Sequence, residues 1–331
     1  MKLLLELING GDINTYAQTY LKINSPIQRV TVAGQGNMNL VLRLETIDYQ
    51  HFIVKKSFSF VYKYPQVAAP LERNRVEAQF YQQLQPFENI QIFLAQLLFY
   101  DEQNQLLWLE DLGETADFGH LYGLKTSISA AIVQQLMQFL SILHAVKPSN
   151  SLLWENRAMR QLNHEYIFVN PFQANNGINL DATTAGLGAV AADYLKDELL
   201  LTKIKLLGDL YLKNGDVLLH GDFYPNSWLT TAQGLKIIDF EFTFGGFAEF
   251  DLSVLYAHLC LTFQSEQLFW EALQHYENCE RLDIKLIKAW AGAEIFRRLL
   301  GLAQLPLAAD LAQKDSLLKK AYQLIMNDLE L

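Results

Sequence analysis

Cysteine, positive charge and long apolar runs are all scarce in this chain, and each scarcity excludes a class of protein. Two cysteines, Cys260 and Cys279, in 331 residues are too few for a disulfide framework and too irregularly placed for a zinc site. A reducing cytoplasm is therefore the default compartment. Lys and Arg number 26 against 36 Asp and Glu, a net charge of −10, which argues against nucleic acid or an anionic membrane as partner. A polyphosphate ligand would have to be met by a local cationic pocket or by a metal. No apolar run reaches the roughly 18 residues of a membrane span. Met1-Lys2-Leu3-Leu4-Leu5 begins like a signal peptide, but Glu6 interrupts it and Asn9-Gly10-Gly11-Asp12 follows at once. What is present is a globular composition, 50% hydrophobic and 12% aromatic, enough for a large core and more than one lobe.

The most informative stretch runs from 217 to 241, V-L-L-H-G-D-F-Y-P-N-S-W-L-T-T-A-Q-G-L-K-I-I-D-F-E. Val217 to Leu219 read as a short buried strand ending in His220-Gly221-Asp222. Leu235 to Ile238 read as a second strand that delivers Asp239 and Glu241, with Gly234 as the turn before it. Three carboxylates gathered in an apolar setting are costly unless a cation shares them. A divalent metal carrying phosphates would do so. Phosphoryl transfer uses such a set: one Asp takes the proton of the attacking hydroxyl, and a second Asp holds magnesium against the nucleotide phosphates.

Earlier in the chain, residues 12 to 24 read as a short amphipathic helix capped by Asp12, packed outside a first sheet. Strands are expected at Val30 to Ala33, Leu40 to Leu44 and His51 to Lys56. Gly34, Gly36 and Asn37 lie between two strands, which excludes a dinucleotide fold and suits a hairpin whose backbone approaches phosphates. Lys55 follows Phe52-Ile53-Val54, as in the V-A-I-K strand that carries a kinase's phosphate-binding lysine. Periodicity alone does not choose between it and Lys56. Pro65 to Pro70 read as a loop. In the helix from about Leu71 to Leu84, Glu77 shares a face with Phe80, Tyr81 and Leu84 and so needs a cation, either Lys55 or Arg73.

Strands at Ile90 to Tyr100 and Leu106 to Leu109 lead to Glu110-Asp111-Leu112, where an adenine could bond to the backbone near Glu110 and Leu112. A boundary is expected near residue 112, giving an N-terminal lobe of 1–112 and a helical lobe of 113–331. In the second lobe, helices are expected at Ser127 to Val146, Ala189 to Leu212, 265 to 278, 283 to 304 and 308 to 329. Residues 149 to 185 read as an irregular insertion forming part of a substrate lid, and Asp251 as a helix cap. His144 reads as a packed or surface histidine rather than a ligand. A serine hydrolase built on His220 and Ser227 is excluded, since no G-x-S-x-G elbow exists.

The order H-G-D then D-F-E resembles the small-molecule kinases that include aminoglycoside phosphotransferases, choline kinases and methylthioribose kinases. G-Q-G-N-M-N-L-V at 34–41, F-I-V-K-K at 52–56, P-L-E-R-N-R-V-E-A at 70–78 and G-A-E-I-F-R-R-L-L-G-L-A at 292–303 narrow the likeness to the methylthioribose kinases, nearly over the whole chain. The resemblance implies an α+β, protein kinase-like two-lobed fold, ATP and Mg2+ as cofactors, and a small-molecule hydroxyl as substrate. It implies Asp222 as catalytic base, Asp239 and Glu241 as metal-binding acids, Lys55 on phosphates, and Asp251, in F-D-L, as a structural aspartate that braces the catalytic loop. Arg297 or Arg298 would sit near the transferred phosphoryl group. Arg298 could instead pair on the surface with Glu294, which makes Arg297 the stronger candidate.

Ser227 stands five residues after Asp222, where many relatives hold a second metal with asparagine and methylthioribose kinases tend to have serine. D-F-E departs from the expected D-P-E. The acceptor expected is 5-methylthioribose or a related sugar. The alternatives are an aminoglycoside or choline kinase and a catalytically silent nucleotide-binding scaffold. Monomer and homodimer are both compatible with this class.

Overall fold

A computed structural model describes residues 12–34, 36, 38–147, 152–173, 175–277 and 279–327. It divides into two compact units. The first holds the described residues up to Ala116 together with Leu229–Phe242, and the second holds Asp117–Trp228 and Thr243 onward. The boundary expected at residue 112 thus falls at 116, and the hairpin that ends in Asp239 and Glu241 belongs with the first unit. Packing accounts for that. Phe240 stacks on Phe80 at 3.8 Å, Ile237 N donates to Phe93 O at 2.8 Å, and Lys236 Nζ donates to Leu94 O.

The first unit is built on an antiparallel sheet in the order β1-β2-β3-β7-β6. Its strands are β1 (Ile27–Val32), β2 (Leu40–Thr46), β3 (His51–Lys56), β6 (Leu97–Asp101) and β7 (Leu106–Glu110), and a separate ribbon pairs β4 (Phe60–Val61) with β5 (Tyr64–Ala68). Strict alternation in β2 buries Leu40, Leu42 and Leu44 on one face. There they meet α1 (Ile13–Tyr16), which Asp12 caps and a five-residue π turn continues. Tyr16 stacks on Trp108 and its hydroxyl donates to Asp101 Oδ2 at 2.7 Å. Helix α2 (Arg73–Leu84) follows the ribbon.

Two expectations fail here. Pro65 lies within a strand, because a two-stranded ribbon leaves an edge on which proline loses no ladder bond. The strand expected from Ile90 to Tyr100 begins only at Leu97, since Ile90, Phe93 and Leu94 follow helical spacing and are buried around α3 (Glu88–Gln91).

The second unit is helical: α4 (Ala130–Ala145), α5 (Arg157–His164), α6 (Leu187–Tyr194), α7 (Glu198–Tyr211), α8 (Ala248–Leu261), α9 (Glu266–Leu273), α10 (Ile284–Leu300) and α11 (Leu311–Met326). The strands Val217–Leu219 and Phe244–Gly246 pair antiparallel within it. The region read as irregular is largely helical from Arg157 to Phe172. Its polar inner residues hid the period. The Arg160 guanidinium is buried, donates to Tyr211 O and Lys213 O at the end of α7, and lies over the Phe244 ring. The single helix expected from 189 to 212 is two, because Asp197 turns its side chain back onto Leu200 N and starts α7 afresh. Among the described residues no helix is long and apolar enough to cross a membrane.

Candidate active site

In the first unit, β3 presents Lys55 inward, and its ammonium lies 2.7 Å from Glu77 Oε2 and 2.7 Å from Asp239 Oδ1. Glu77 is 0% exposed, so this contact settles which cation it meets. Arg73, one turn earlier on α2, goes elsewhere. It lies 3.2 Å from Glu241 and donates to Asn39 Oδ1 at 2.9 Å and to the carbonyls of Met38, Phe58 and Pro70. Asn39 Nδ2 in turn donates to Glu241 Oε2 at 2.9 Å. Lys56 takes the other side of the strand, its ammonium over the Phe58 ring.

Burial works against the charge of Lys55, yet the Asp239, Glu77 and Glu241 carboxylates outweigh it and hold the ammonium well above the ordinary lysine range. Burial raises Glu241, with Arg73 and Lys55 opposing. Asp239 differs from both buried acids: its side chain is 44% exposed and its backbone adopts φ +70, a left-handed conformation uncommon outside glycine. Gly34 also needs the left-handed region, at φ +75, and a Cβ there would touch nothing within 4 Å. Gly36 is exposed and open to a Cβ, with only ordinary contacts, and Asn37 lies outside the described residues. Glu110 ties the end of β7 to Gln96, through its backbone N at 2.9 Å and its carboxylate at 3.0 Å. Leu112 is half-buried after it.

In the second unit, the loop His220-Gly221-Asp222 is clamped from behind. His220 N and Gly221 N donate to the two oxygens of Asp251 at 2.7 and 2.9 Å, and His144 Nε2 meets the same carboxylate at 3.1 Å. Asp251 therefore does not cap α8, which begins at Ala248; it lies within the helix and braces the loop. His144 is packed, as expected, with Tyr276 on its other nitrogen. The Ser227 hydroxyl donates to Asp222 O at 3.3 Å, and Ser227 N to Tyr224 O. It sits in the second unit, whereas Asp239 and Glu241 sit in the first.

Asp222 Oδ1 faces two guanidinium groups, Arg298 Nη2 at 3.2 Å and Arg297 Nη1 at 3.6 Å. Both arginines are buried, and both also bond Glu294, at 2.6 Å from Arg298 and 3.0 Å from Arg297. The surface pair expected between Arg298 and Glu294 is therefore a buried one. Consecutive residues on a helix do diverge, but α10 is covered on every side from Ala289 to Leu300 and each long guanidinium bends back to the same place. Burial opposes the ionised form of Glu294, but Arg297 and Arg298 overcome it and hold the carboxyl far below the usual range. Burial likewise opposes Arg298, and Glu294 and Asp222 keep it charged.

In the sequence Asn39 stands only as part of the G-Q-G-N-M-N loop with no role of its own, Arg73 only as one of two possible partners of Glu77, and Glu294 only as a surface partner of Arg298. An acid at 294 among Gly292, Ala293, Ile295 and Phe296, three and four residues before two arginines, was the available signal.

Among the described residues no group of three or more His, Cys, Asp and Glu could hold a metal alone. A magnesium bound by one or two carboxylates together with nucleotide phosphates needs no such group. Asp239 suits that task. Glu241, turned onto Arg73 and Asn39, would have to exchange those contacts first.

The chain belongs to the phosphotransferase enzyme family, whose model matches residues 29–278. It is 26% identical to the methylthioribose kinase of Exiguobacterium sibiricum, over 88% of this chain and 83% of that protein. With the methylthioribose kinase of Erwinia tasmaniensis it is 24% identical over 77% of this chain, and it spans 66% of that protein. The fold is protein kinase-like. The choline kinase of Streptococcus pneumoniae superposes with a TM-score of 0.55 at 14% identity, over 95% of this chain and 98% of that one. APH(2")-IIa, solved with gentamicin, gives 0.53 at 14%, over 96% and 97%.

Proposed function

We propose that this enzyme uses ATP and Mg2+ to phosphorylate a hydroxyl of a small neutral sugar, with 5-methylthioribose as the acceptor. The observation that carries the acceptor class is the buried arginine pair against Asp222. The two guanidinium groups, already paired in charge with Asp222 and Glu294, present N–H donors for which an ammonium offers no acceptor, which disfavours the choline and aminoglycoside alternatives. They can instead donate hydrogen bonds to a neutral polyol. The methylthioribose kinase relatives point the same way.

In this reading Asp222 receives the proton of the attacking hydroxyl as its oxygen bonds to the γ-phosphorus and the bond to the β-phosphate oxygen breaks, releasing ADP. Arg297 and Arg298 offset charge on the phosphoryl oxygens. Lys55 binds the α- and β-phosphates, kept in place by Glu77. The backbone at Gly34 and Gly36 covers the phosphates, and that near Glu110 and Leu112 bonds adenine. Magnesium would be held by Asp239, with Glu241 and Ser227 as further candidates, and would neutralise charge on the β- and γ-oxygens. A silent scaffold is disfavoured because Lys55, Asp222, Asp239 and Glu241 are all present.

The test is ADP release with ATP and magnesium over a panel of methylthioribose, other pentoses, choline, homoserine and an aminoglycoside. Turnover on methylthioribose and none on the cations is expected. Turnover on choline or the aminoglycoside alone would overturn the acceptor class.

A further inference from the structure

Glu294 is a carboxylate that the phosphoryl-transfer scheme does not use. It is 2% exposed, sits in the middle of α10, and is the one acid besides Asp222 that bonds both arginines among the described residues. Its remaining contact is His258 Nε2 on α8, at 3.2 Å. His258 Nδ1 then meets the Tyr122 hydroxyl at 2.9 Å. Burial pushes His258 down to about 4, so at neutral pH the ring carries one proton. Nε2 then donates to Glu294 while Nδ1 accepts from Tyr122. Tyr224 closes the remaining side, its ring 4.6 Å from the Arg298 guanidinium.

We infer that Glu294 is a positioning residue for phosphoryl transfer: it aims Arg297 and Arg298 together at Asp222, and the Tyr122–His258 chain fixes its own orientation. Three features support this. Two neighbouring arginines repel each other, and with Asp222 as their only counter-charge they would compete for Oδ1 of one carboxylate. Glu294 uses separate oxygens for them, Oε1 for Arg298 and Oε2 for Arg297. Arg298 is held through Nε while its Nη2 faces Asp222, and Nη1 of Arg297 lies between Glu294 at 3.0 Å and Asp222 at 3.6 Å. It also balances the local charge, two acids against two arginines. The pair thus stays ionised and immobile without drawing on solvent, which is what preorganised stabilisation of a phosphoryl group requires.

The inference rests on the kinase reading, and its test separates the two. Wild-type turnover on any alcohol of the panel establishes the activity and the acceptor to be used. Glu294→Gln keeps the side chain's size but removes its charge and presents an amide N–H to one guanidinium. It should lower kcat at least tenfold while KM for ATP stays within twofold. Glu294→Asp keeps the charge and should regain part of the loss. Tyr122→Phe deletes one hydroxyl at the far end of the chain and should lower kcat several-fold, again with KM for ATP unchanged. A purely structural role would lower thermal stability and the folded fraction without a selective loss of kcat per folded enzyme. The inference is overturned if Glu294→Gln keeps kcat within twofold, or if the Gln and Asp variants are impaired equally. Should Glu294→Gln fail to fold, Glu294→Asp and Tyr122→Phe are read in its place. Reduced kcat at unchanged KM for ATP then supports the inference, and wild-type kcat in both overturns it.

Discussion

Lys55 and Arg298 are each held by buried carboxylates, which set their protonation as well as their place. Lys55 remains an ammonium in a buried setting because carboxylates surround it, and Arg298 remains charged at 6% exposure because Glu294 and Asp222 face it. His258 goes the other way, lowered by burial from 6.5 to about 4 despite the Glu294 hydrogen bond. The consequence for stability has a definite sign. As pH falls through 6.5 the unfolded chain binds a proton at this position while the folded one does not, so stability is lost down to about pH 4. The contribution is about 3 kcal/mol. Glu294, held low, adds loss of the same sign below the normal carboxylate range, and Arg298, Tyr122 and Asp222 stay on the wall around the ring. Denaturant midpoints measured from pH 7 to pH 4 should therefore fall. The fall should be shallower in His258→Gln; an equally steep fall in that variant would remove His258 as its source.

At the scale of elements, α2 ties the first unit together through two charged residues one turn apart. Glu77 locks β3 through Lys55, while Arg73 joins the end of the glycine-bearing loop, the residues around the β4–β5 ribbon and the Glu241 carboxylate. Arg73→Met would strip buried Glu241 of its guanidinium and leave several carbonyls unpaired. A cost of about 3–5 kcal/mol is expected, read as a lower urea midpoint. A loss below about 1 kcal/mol would show that Arg73 is replaceable packing.

The strands at 40–46 and 51–56 were legible because strict alternation or a dense β-branched and aromatic run admits one periodicity. The helices at 157–172 were not, because Arg160 and Asn163 face inward and their bonding to Tyr211 appears only in three dimensions. The same limit governed the site. Lys55, Asp222, Asp239 and Glu241 announce themselves by their neighbours in the chain, and the apolar face of Glu77 showed that it needs a cation, either Lys55 or Arg73. Which cation met which acid appears only in three dimensions, and the convergence of Arg297 and Arg298 depends on how completely α10 is buried.

At the scale of the whole molecule, the residues of the proposed reaction are divided between the two units. The first carries Lys55, Glu77, Asp239 and Glu241, and the second carries Asp222, Arg297 and Arg298. The chain passes between the units around residues 116, 228 and 242, so the stretch from 217 to 241 supplies acids to both. In the proposed reaction the first unit would serve the nucleotide and the second the acceptor. The measurement that tests this most directly is mass-spectrometric detection of phosphorylated methylthioribose after incubation with ATP and magnesium, for the wild type and Asp222→Ala side by side, with ATP affinity measured for both. The account predicts product from the wild type, a loss of turnover of about 10²-fold or more in the variant, and ATP affinity largely retained. An undiminished yield from Asp222→Ala would contradict the assignment of the base. Absence of any phosphorylated acceptor from the wild type across the whole panel would contradict the kinase itself.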